Sequence, residues 1–352
     1  IQRGHELHII APSPKGYSYQ HGCGEARVHR LPSFRYPWHP TFHIADFRRA
    51  SHGVDRVLRD IQPDIVHVQS HFVVGRAAAK ASSRLGIPWI ATNHFMPENL
   101  RSQLPIGIPE FVYRGLAALA WRDAARVLDG ASAVTAPTNR AVEILRQRAG
   151  IQNALSISCG IDTTAFAATR RPATSRSIVL FVGRLEVEKH VDQLIRAIPL
   201  MTWPAQVRIV GTGTQERSLR KLASKLGVDD TVHFLGYLSN DELISELNYA
   251  SIFCMPGTAE LQSIATLEAM AAGLPVVAAD AHALPELVLR ETNGELFPPG
   301  DVACLALLLV RILSDPLRRT TYGQLSRQLA LRHELSGTID QFEGLYLKAS
   351  VV

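Results

Sequence analysis

The sequence predicts an α/β protein made of two doubly wound, Rossmann-like domains. Three observations lead there. The chain has 352 residues, more than one hydrophobic core ordinarily encloses. Both halves alternate short apolar runs with helical stretches, the pattern of parallel sheets covered by helices. An internal echo relates the halves: Arg76 to Asn93 reads helix, Gly86-Ile87-Pro88, apolar strand, and Ala265 to Asp280 reads helix, Gly273-Leu274-Pro275, apolar strand. In each the glycine suits a left-handed helix stop and the proline prevents continuation.

The expected strands of the first half are His8–Ala11, Ile65–Gln69, Trp89–Asn93 and Ala133–Ala136. Those of the second are Ile178–Val182, Val207–Val210, Val232–Leu235, Ile252–Met255 and Val276–Ala279. The domains are expected over 1–160 and 161–335, with a helix over 336–352 packing back toward the first. Cys159 to Pro172 reads as the join, because Ala167 to Pro172 has no apolar period. Phe342, Leu345 and Tyr346 fall at i, i+3 and i+4, the apolar face of that last helix. The chain opens at Ile1-Gln2-Arg3-Gly4 as if in the tail of a helix and enters a strand at once. A doubly wound sheet begins with a central strand and a glycine-rich turn, so the first strand of the first domain is expected to be missing.

Apolar residues make up 46% and charged residues 20%, a globular composition. No apolar run approaches the ~18 residues of a membrane span, and no signal peptide opens the chain. Cys23, Cys159, Cys254 and Cys304 lack metal-like spacing and read as thiols of a reducing compartment, so a cytoplasmic setting is expected. Charge is uneven: residues 1–160 carry 19 Lys+Arg against 11 Asp+Glu, and residues 161–352 carry 18 against 21. A basic first half suits an anionic membrane surface, or is simply a solvated arginine-rich face.

The strongest chemical signal is Glu260 and Glu268, set between the strand Ile252–Met255 and a helix that Gly273 and Pro275 end. Ser263 is the expected N-cap. Glu260 then lies at the C-terminal edge of the sheet, where ligands of open α/β sheets bind. The amides of Gln262, Ser263, Ile264, Ala265 and Thr266 face an anion such as a diphosphate, and Glu268 follows a turn later within reach of a ribose.

The second signal is Gly183-Arg184-Leu185-Glu186-Val187-Glu188-Lys189-His190, after the strand Ile178–Val182. Arg184 and Lys189 can neutralise a diphosphate leaving group, or the turn is salt-bridged through Glu186 and Glu188. Gly211-Thr212-Gly213 is a tight turn near the same edge, without the third glycine of a dinucleotide fingerprint. In the first half His94 ends a strand and suits a substrate hydroxyl or developing charge, with His67 and His71 as alternatives.

Taken together these residues resemble the large family of retaining glycosyltransferases with the two-Rossmann GT-B fold and a Glu-x7-Glu signature. The likeness runs along nearly the whole chain. It includes Arg3-Gly4-His5-Glu6-Leu7-His8, Gly160-Ile161-Asp162 with Phe166, Gly183-Arg184-Leu185 with Glu188-Lys189, Glu260 to Gly273, and Asn293-Gly294 before Pro299-Gly300-Asp301.

The resemblance implies that Arg184 and Lys189 hold the donor diphosphate, Glu260 the sugar hydroxyls and Glu268 the ribose. It places His94 near the transferred sugar and Gly236-Tyr237-Leu238 at the nucleobase. Where the family commonly has Phe-Gly after the first glutamate this chain has Leu261-Gln262, reminiscent of members that glycosylate membrane diacylglycerol. His190 stands where glycine is usual.

The expected function is therefore metal-independent, retaining transfer of a hexose from a nucleotide-diphosphate sugar to a lipid or other small acceptor. UDP-sugar is favoured and GDP-mannose is the variant. No cofactor and no nucleic-acid partner are expected, and peripheral attachment to the inner face of the cell membrane accompanies the lipid acceptor. A sugar-nucleotide epimerase and a non-catalytic nucleotide-binding protein are the competing readings.

Overall fold

The computed structural model describes residues 1–36, 43–96, 109–166 and 177–350. The expected linker Ala167–Pro172, and Pro97-Glu98-Asn99 beyond His94, lie outside the described residues. The chain divides into two compact units: residues 1–137, 142–156 and 342–352 form the first, and 138–141 with 157–341 the second. The sequence reading missed the short passage of 138–141 into the second unit. The helix Leu335–Ser350 is shared, its last turns belonging to the first unit.

In the first unit the strands are β1 (His8–Pro12), β2 (Tyr19–Cys23), β3 (Ala26–Leu31), β4 (Ser33–Arg35), β5 (His43–Ala45), β6 (Val66–Val68), β7 (Trp89–Thr92), β8 (Ala133–Ala136) and β9 (Leu155–Ser156). β6, β7, β8 and β9 form one parallel sheet in that order. β1 pairs parallel with β3, which pairs antiparallel with β2 in a separate sheet, and β4 pairs with β5. β7 and β8 are buried throughout, as strands covered on both faces must be. Alanines 77, 78, 79 and 81 of the helix Val73–Leu85 are buried, small side chains that allow close packing. Phe342, Leu345 and Tyr346 pack beside Ile90 and Ala133, the role their spacing predicts.

In the second unit the strands are β10 (Ser177–Val182), β11 (Ala205–Val210), β12 (Val232–Gly236), β13 (Ile252–Met255), β14 (Val276–Ala279) and β15 (Gly294–Phe297). All six are parallel, in the order β12-β11-β10-β13-β14-β15. The chain starts at a central strand, winds outward through β11 and β12, then returns to build β13 to β15. The winding reverses between β10 and β13. β13, β14 and β15 are buried end to end; β13 and β14 are continuous apolar runs without alternation, while β15 carries the buried Glu295.

Candidate functional site

The reversal between β10 and β13 leaves a crevice at their carboxyl ends, where open α/β sheets bind ligands. Two loops line it: Gly183–His190 after β10 and Pro256–Ser263 after β13. They are laced together, the Thr258 amide donating to the Glu188 carbonyl at 3.0 Å. His190 Nε2 lies 2.9 Å from Thr258 Oγ1. His190 has φ +48°, a left-handed conformation, which accounts for glycine being usual there. The contact between His190 and Thr258 carries no signal in the sequence, since it depends on which loops the winding makes neighbours.

Across this crevice Lys189 Nζ donates to Glu260 Oε1 in an ion pair that is 14% and 9% exposed on its two sides. The two residues assigned separately to diphosphate and sugar thus face one another. Arg184 donates to Glu188 Oε1 at 3.2 Å but is 56% exposed. The salt-bridged alternative is therefore half right: Glu188 pairs with Arg184, while Glu186 accepts from the Thr214 amide at 3.1 Å and its hydroxyl at 2.6 Å.

Gly211 and Gly213 make the next loop, after β11, press against the first. Leu185 N–H donates to the Thr212 carbonyl at 2.9 Å, and the Gln215 amide to the Leu185 carbonyl at 2.9 Å. A Cβ on Gly211, whose φ is +123°, would lie 2.0 Å from the Gly183 carbonyl oxygen. Gly211 thus serves the approach of two loops. Gly211→Ala is expected to cost about 1–3 kcal/mol of overpacking, read as a lower denaturation midpoint. An unchanged midpoint would show that the loops separate freely.

The helix Ile264–Ala271 begins at Ser263, as expected, although the Ser263 side chain makes no backbone cap. Thr266 Oγ1 donates to Ser263 Oγ at 2.8 Å instead, so Ser263 acts through a side-chain contact rather than as a capping acceptor. The first ladder bond runs from the Leu267 amide to the Ser263 carbonyl at 3.1 Å, so the amides of Ile264, Ala265 and Thr266 precede the ladder. Tyr237, after β12, is 84% exposed, and Leu238 packs partly against the core.

The side chain of Gln262, whose backbone amide is the group expected to face the donor, is engaged elsewhere: its oxygen accepts from the Cys159 amide at 2.8 Å and its nitrogen donates to Ser158 Oγ at 2.8 Å. The side chain is committed to the chain's entry into the second unit.

Burial holds the Glu268 carboxyl up at about pH 7, against 4.5 for an ordinary glutamate. Between those values the unfolded chain releases a proton that the folded chain keeps, so Glu268 erodes stability as pH rises through this window and no further above it. Glu268→Gln is expected to gain melting temperature on the parent between about pH 4.5 and 7, and parallel curves would contradict the buried acid.

In the first unit His94 Nε2 lies 2.9 Å from Gln69 Oε1 at the end of β7. Surrounding protein lowers its basicity, though part of the ring meets solvent. The alternatives are structural. His67 bridges Tyr346 Oη at 2.7 Å and Thr92 Oγ1 at 2.6 Å, and burial drops its pKa to about 4. His71 is 4% exposed against Phe72 and Phe95, with a pKa of about 4 from the same cause.

Two Rossmann-like units, the second with a basic and acidic crevice at its switch point, define a GT-B glycosyltransferase. Residues 163–329 match the model of glycosyl transferases group 1 and residues 1–165 that of glycosyltransferase family 4, and the chain belongs to this family. It is 30% identical to a GDP-mannose-dependent alpha-mannosyltransferase of Mycolicibacterium smegmatis, over 97% of this chain and 88% of that one. It is 27% identical to the sulfoquinovosyl transferase SQD2 of Arabidopsis thaliana over 78% of this chain, and it spans 55% of that protein's length. Sucrose-phosphate synthase from Thermosynechococcus elongatus superposes with a TM-score of 0.81 at 20% identity, covering 99% of this chain and 90% of that one.

Proposed function

We propose that the chain transfers a hexose from a nucleotide-diphosphate sugar to a lipid or other small acceptor, with retention of anomeric configuration and without a metal. The Lys189–Glu260 pair at the switch point carries the reading, because it sets a cation for the diphosphate beside a carboxylate for sugar hydroxyls. In the reaction the bond between the sugar's C1 and the diphosphate breaks, and Lys189, Arg184 and the amides of Ile264 to Thr266 receive the departing charge. Glu268 holds the ribose and Tyr237 and Leu238 border the base, while the assignment of His94 to the transferred sugar comes from the family resemblance. Retention rests on the family resemblance alone.

A UDP-linked donor is the first reading. A GDP-mannose donor is the second, favoured by the relative matched along 97% of the chain. The test is a screen of UDP-hexoses and GDP-mannose against membrane lipids in EDTA, with product anomers assigned by NMR. Transfer that appears only on adding Mg²⁺ or Mn²⁺ would overturn the metal-free assignment. Nucleotide binding without transfer to any acceptor would favour a non-catalytic protein, and turnover of the donor alone an epimerase.

The proposed setting is the cytoplasmic face of an anionic membrane. Among the described residues no helix is long and apolar enough to cross one. Phe47 is 67% and Phe111 76% exposed, each near arginines: Arg48 and Arg49 for the first, Arg114 for the second. Arg59 and Arg114 direct part of their charge at Asp55 and Glu110, at 3.1 and 3.2 Å, so the surface is less basic than the sequence count implies. Each remaining cation contributes about 1 kcal/mol near anionic lipid. Sedimentation with vesicles is expected to require anionic lipid and to fall with salt. Equal partitioning to neutral vesicles would remove this attachment.

A further inference from the structure

Gln262 lies two residues from Glu260, and the polar contacts of its side chain are made with Ser158, Cys159 and His333. Its oxygen takes the Cys159 amide and its nitrogen reaches Ser158 Oγ, each at 2.8 Å, with His333 Nδ1 at 3.5 Å. Ser158 Oγ is itself a junction, 3.0 Å from His333 Nδ1 and accepting from the Gly160 amide at 3.1 Å.

These partners lie on two stretches that follow one another only in space. The stretch 158–160 is where the chain enters the second unit at residue 157, and His333 precedes the helix by which it leaves after 341. The two are woven together. The Ile161 amide donates to the His333 carbonyl and the Leu335 amide to the Ile161 carbonyl, both at 2.9 Å. Glu334 accepts from the Thr163 amide at 3.1 Å and from its hydroxyl. Gly160, at φ +72°, allows the approach, since a Cβ there would lie 2.8 Å from Thr338 Oγ1.

On the donor side Gln262 directly precedes Ser263, the residue before the helix Ile264–Ala271, and is joined by Leu261 to Glu260. The Leu261 carbonyl accepts from Thr138 Oγ1 at 2.8 Å, and Thr138 opens the other short passage of chain into this unit. A loop that binds the donor through its amides therefore holds, through consecutive residues, three of the points at which the chain passes between units.

We propose that Gln262 is a positioning residue that couples donor binding in the loop Glu260–Ser263 to the crossing segments 158–160 and 333, and is not itself a ligand of the donor. The inference rests on the glycosyl-transfer reading of that loop. A bidentate amide suits the task because a backbone amide and a hydroxyl must be held at once, and a shift of the loop by even an ångström breaks one of the two contacts.

Hydrogen exchange of the Cys159 and Gly160 amides, with and without saturating UDP or GDP, tests it together with nucleotide affinity and steady-state transfer. In the parent protein nucleotide is expected to slow exchange at both amides by about tenfold or more, as a restrained segment requires. Gln262→Ala is expected to abolish that nucleotide dependence and lower kcat, while leaving the nucleotide dissociation constant within about threefold. Gln262→Glu, whose carboxylate still accepts from the Cys159 amide and takes the Ser158 contact with the direction reversed, the hydroxyl now donating, is expected to keep the dependence, which separates coupling from a general loss of fold.

A tenfold weaker nucleotide affinity in Gln262→Ala, with the crossing amides still responding, would make Gln262 a donor ligand and overturn the proposal. So would nucleotide binding to the parent without any change at Cys159 or Gly160, an outcome that leaves the glycosyltransferase reading intact. Failure of the parent to bind UDP or GDP at all would overturn both.

Discussion

Glu260→Gln is expected to tighten binding of the free nucleotide diphosphate by about tenfold while lowering transfer by about 10²–10³-fold. Without donor, Lys189 is neutralised by Glu260 inside a crevice where the pair is largely shielded from water. In the proposed donor site a diphosphate would replace that carboxylate as the partner of the ammonium. Removing the carboxylate's charge removes the competitor, and one charge-assisted contact of about 1.5–3 kcal/mol corresponds to roughly tenfold or more in affinity. The same change deprives sugar hydroxyls of their acceptor as charge develops at C1, a loss of the size seen when one preorganised transition-state contact is deleted. Calorimetry with UDP and GDP, beside transfer assays, reads both limbs. Weaker nucleotide binding in the variant would show that Glu260 assists the diphosphate and does not compete with it.

Lys189→Ala is expected to be the more damaging change to the fold. It leaves the Glu260 carboxylate buried without its cation, and breaking a buried pair from one side commonly costs about 3–5 kcal/mol. Nucleotide affinity is lost as well. Arg184→Ala removes a cation already more than half in water and paired with Glu188 four residues along the loop, so its structural cost is about 1 kcal/mol or less. The Lys189→Met/Glu260→Gln double variant, which leaves no buried charge, is expected to recover most of the lost stability without recovering binding. Equal denaturation midpoints for the two single alanine variants would refute this division between a buried and a surface cation.

The contrast marks what the sequence carries and what it does not. Strands such as Ala133–Ala136, Ile252–Met255 and Val276–Ala279 are legible to the residue, because a strand covered on both faces must be apolar throughout. The helix Glu216–Leu226 is equally plain from its amphipathic period and Gly227 stop. β2 and β3 escaped notice, since Tyr19 to Leu31 mixes histidine, arginine and glycine and its stability comes from pairing, not from an apolar face. β9 is two residues long, below any periodic signal.

The site divides the same way. Glu260, Glu268, Arg184 and Lys189 are legible as chemistry at strand ends. That Lys189 faces Glu260 requires knowing that β10 and β13 are neighbours, although Val179 and its partner Ile252 lie 73 positions apart in the chain. The side-chain contacts of Gln262 with Ser158 and Cys159, about a hundred residues back in the chain, have no counterpart in the sequence pattern.

The shared last helix bears on how the molecule is made. Tyr346, which reaches the buried His67 from 279 residues further along the chain, is synthesised long after its partner. Chains emerge at about 5–20 residues per second and domains ordinarily fold in order of synthesis. Here the first unit lacks a piece of its interior until the second has been translated, so the second is the earlier of the two to be complete. For many seconds the nascent first unit therefore presents an open apolar seam around Ile90 and Ala133, the kind of transient exposure that makes an unfinished chain prone to aggregate.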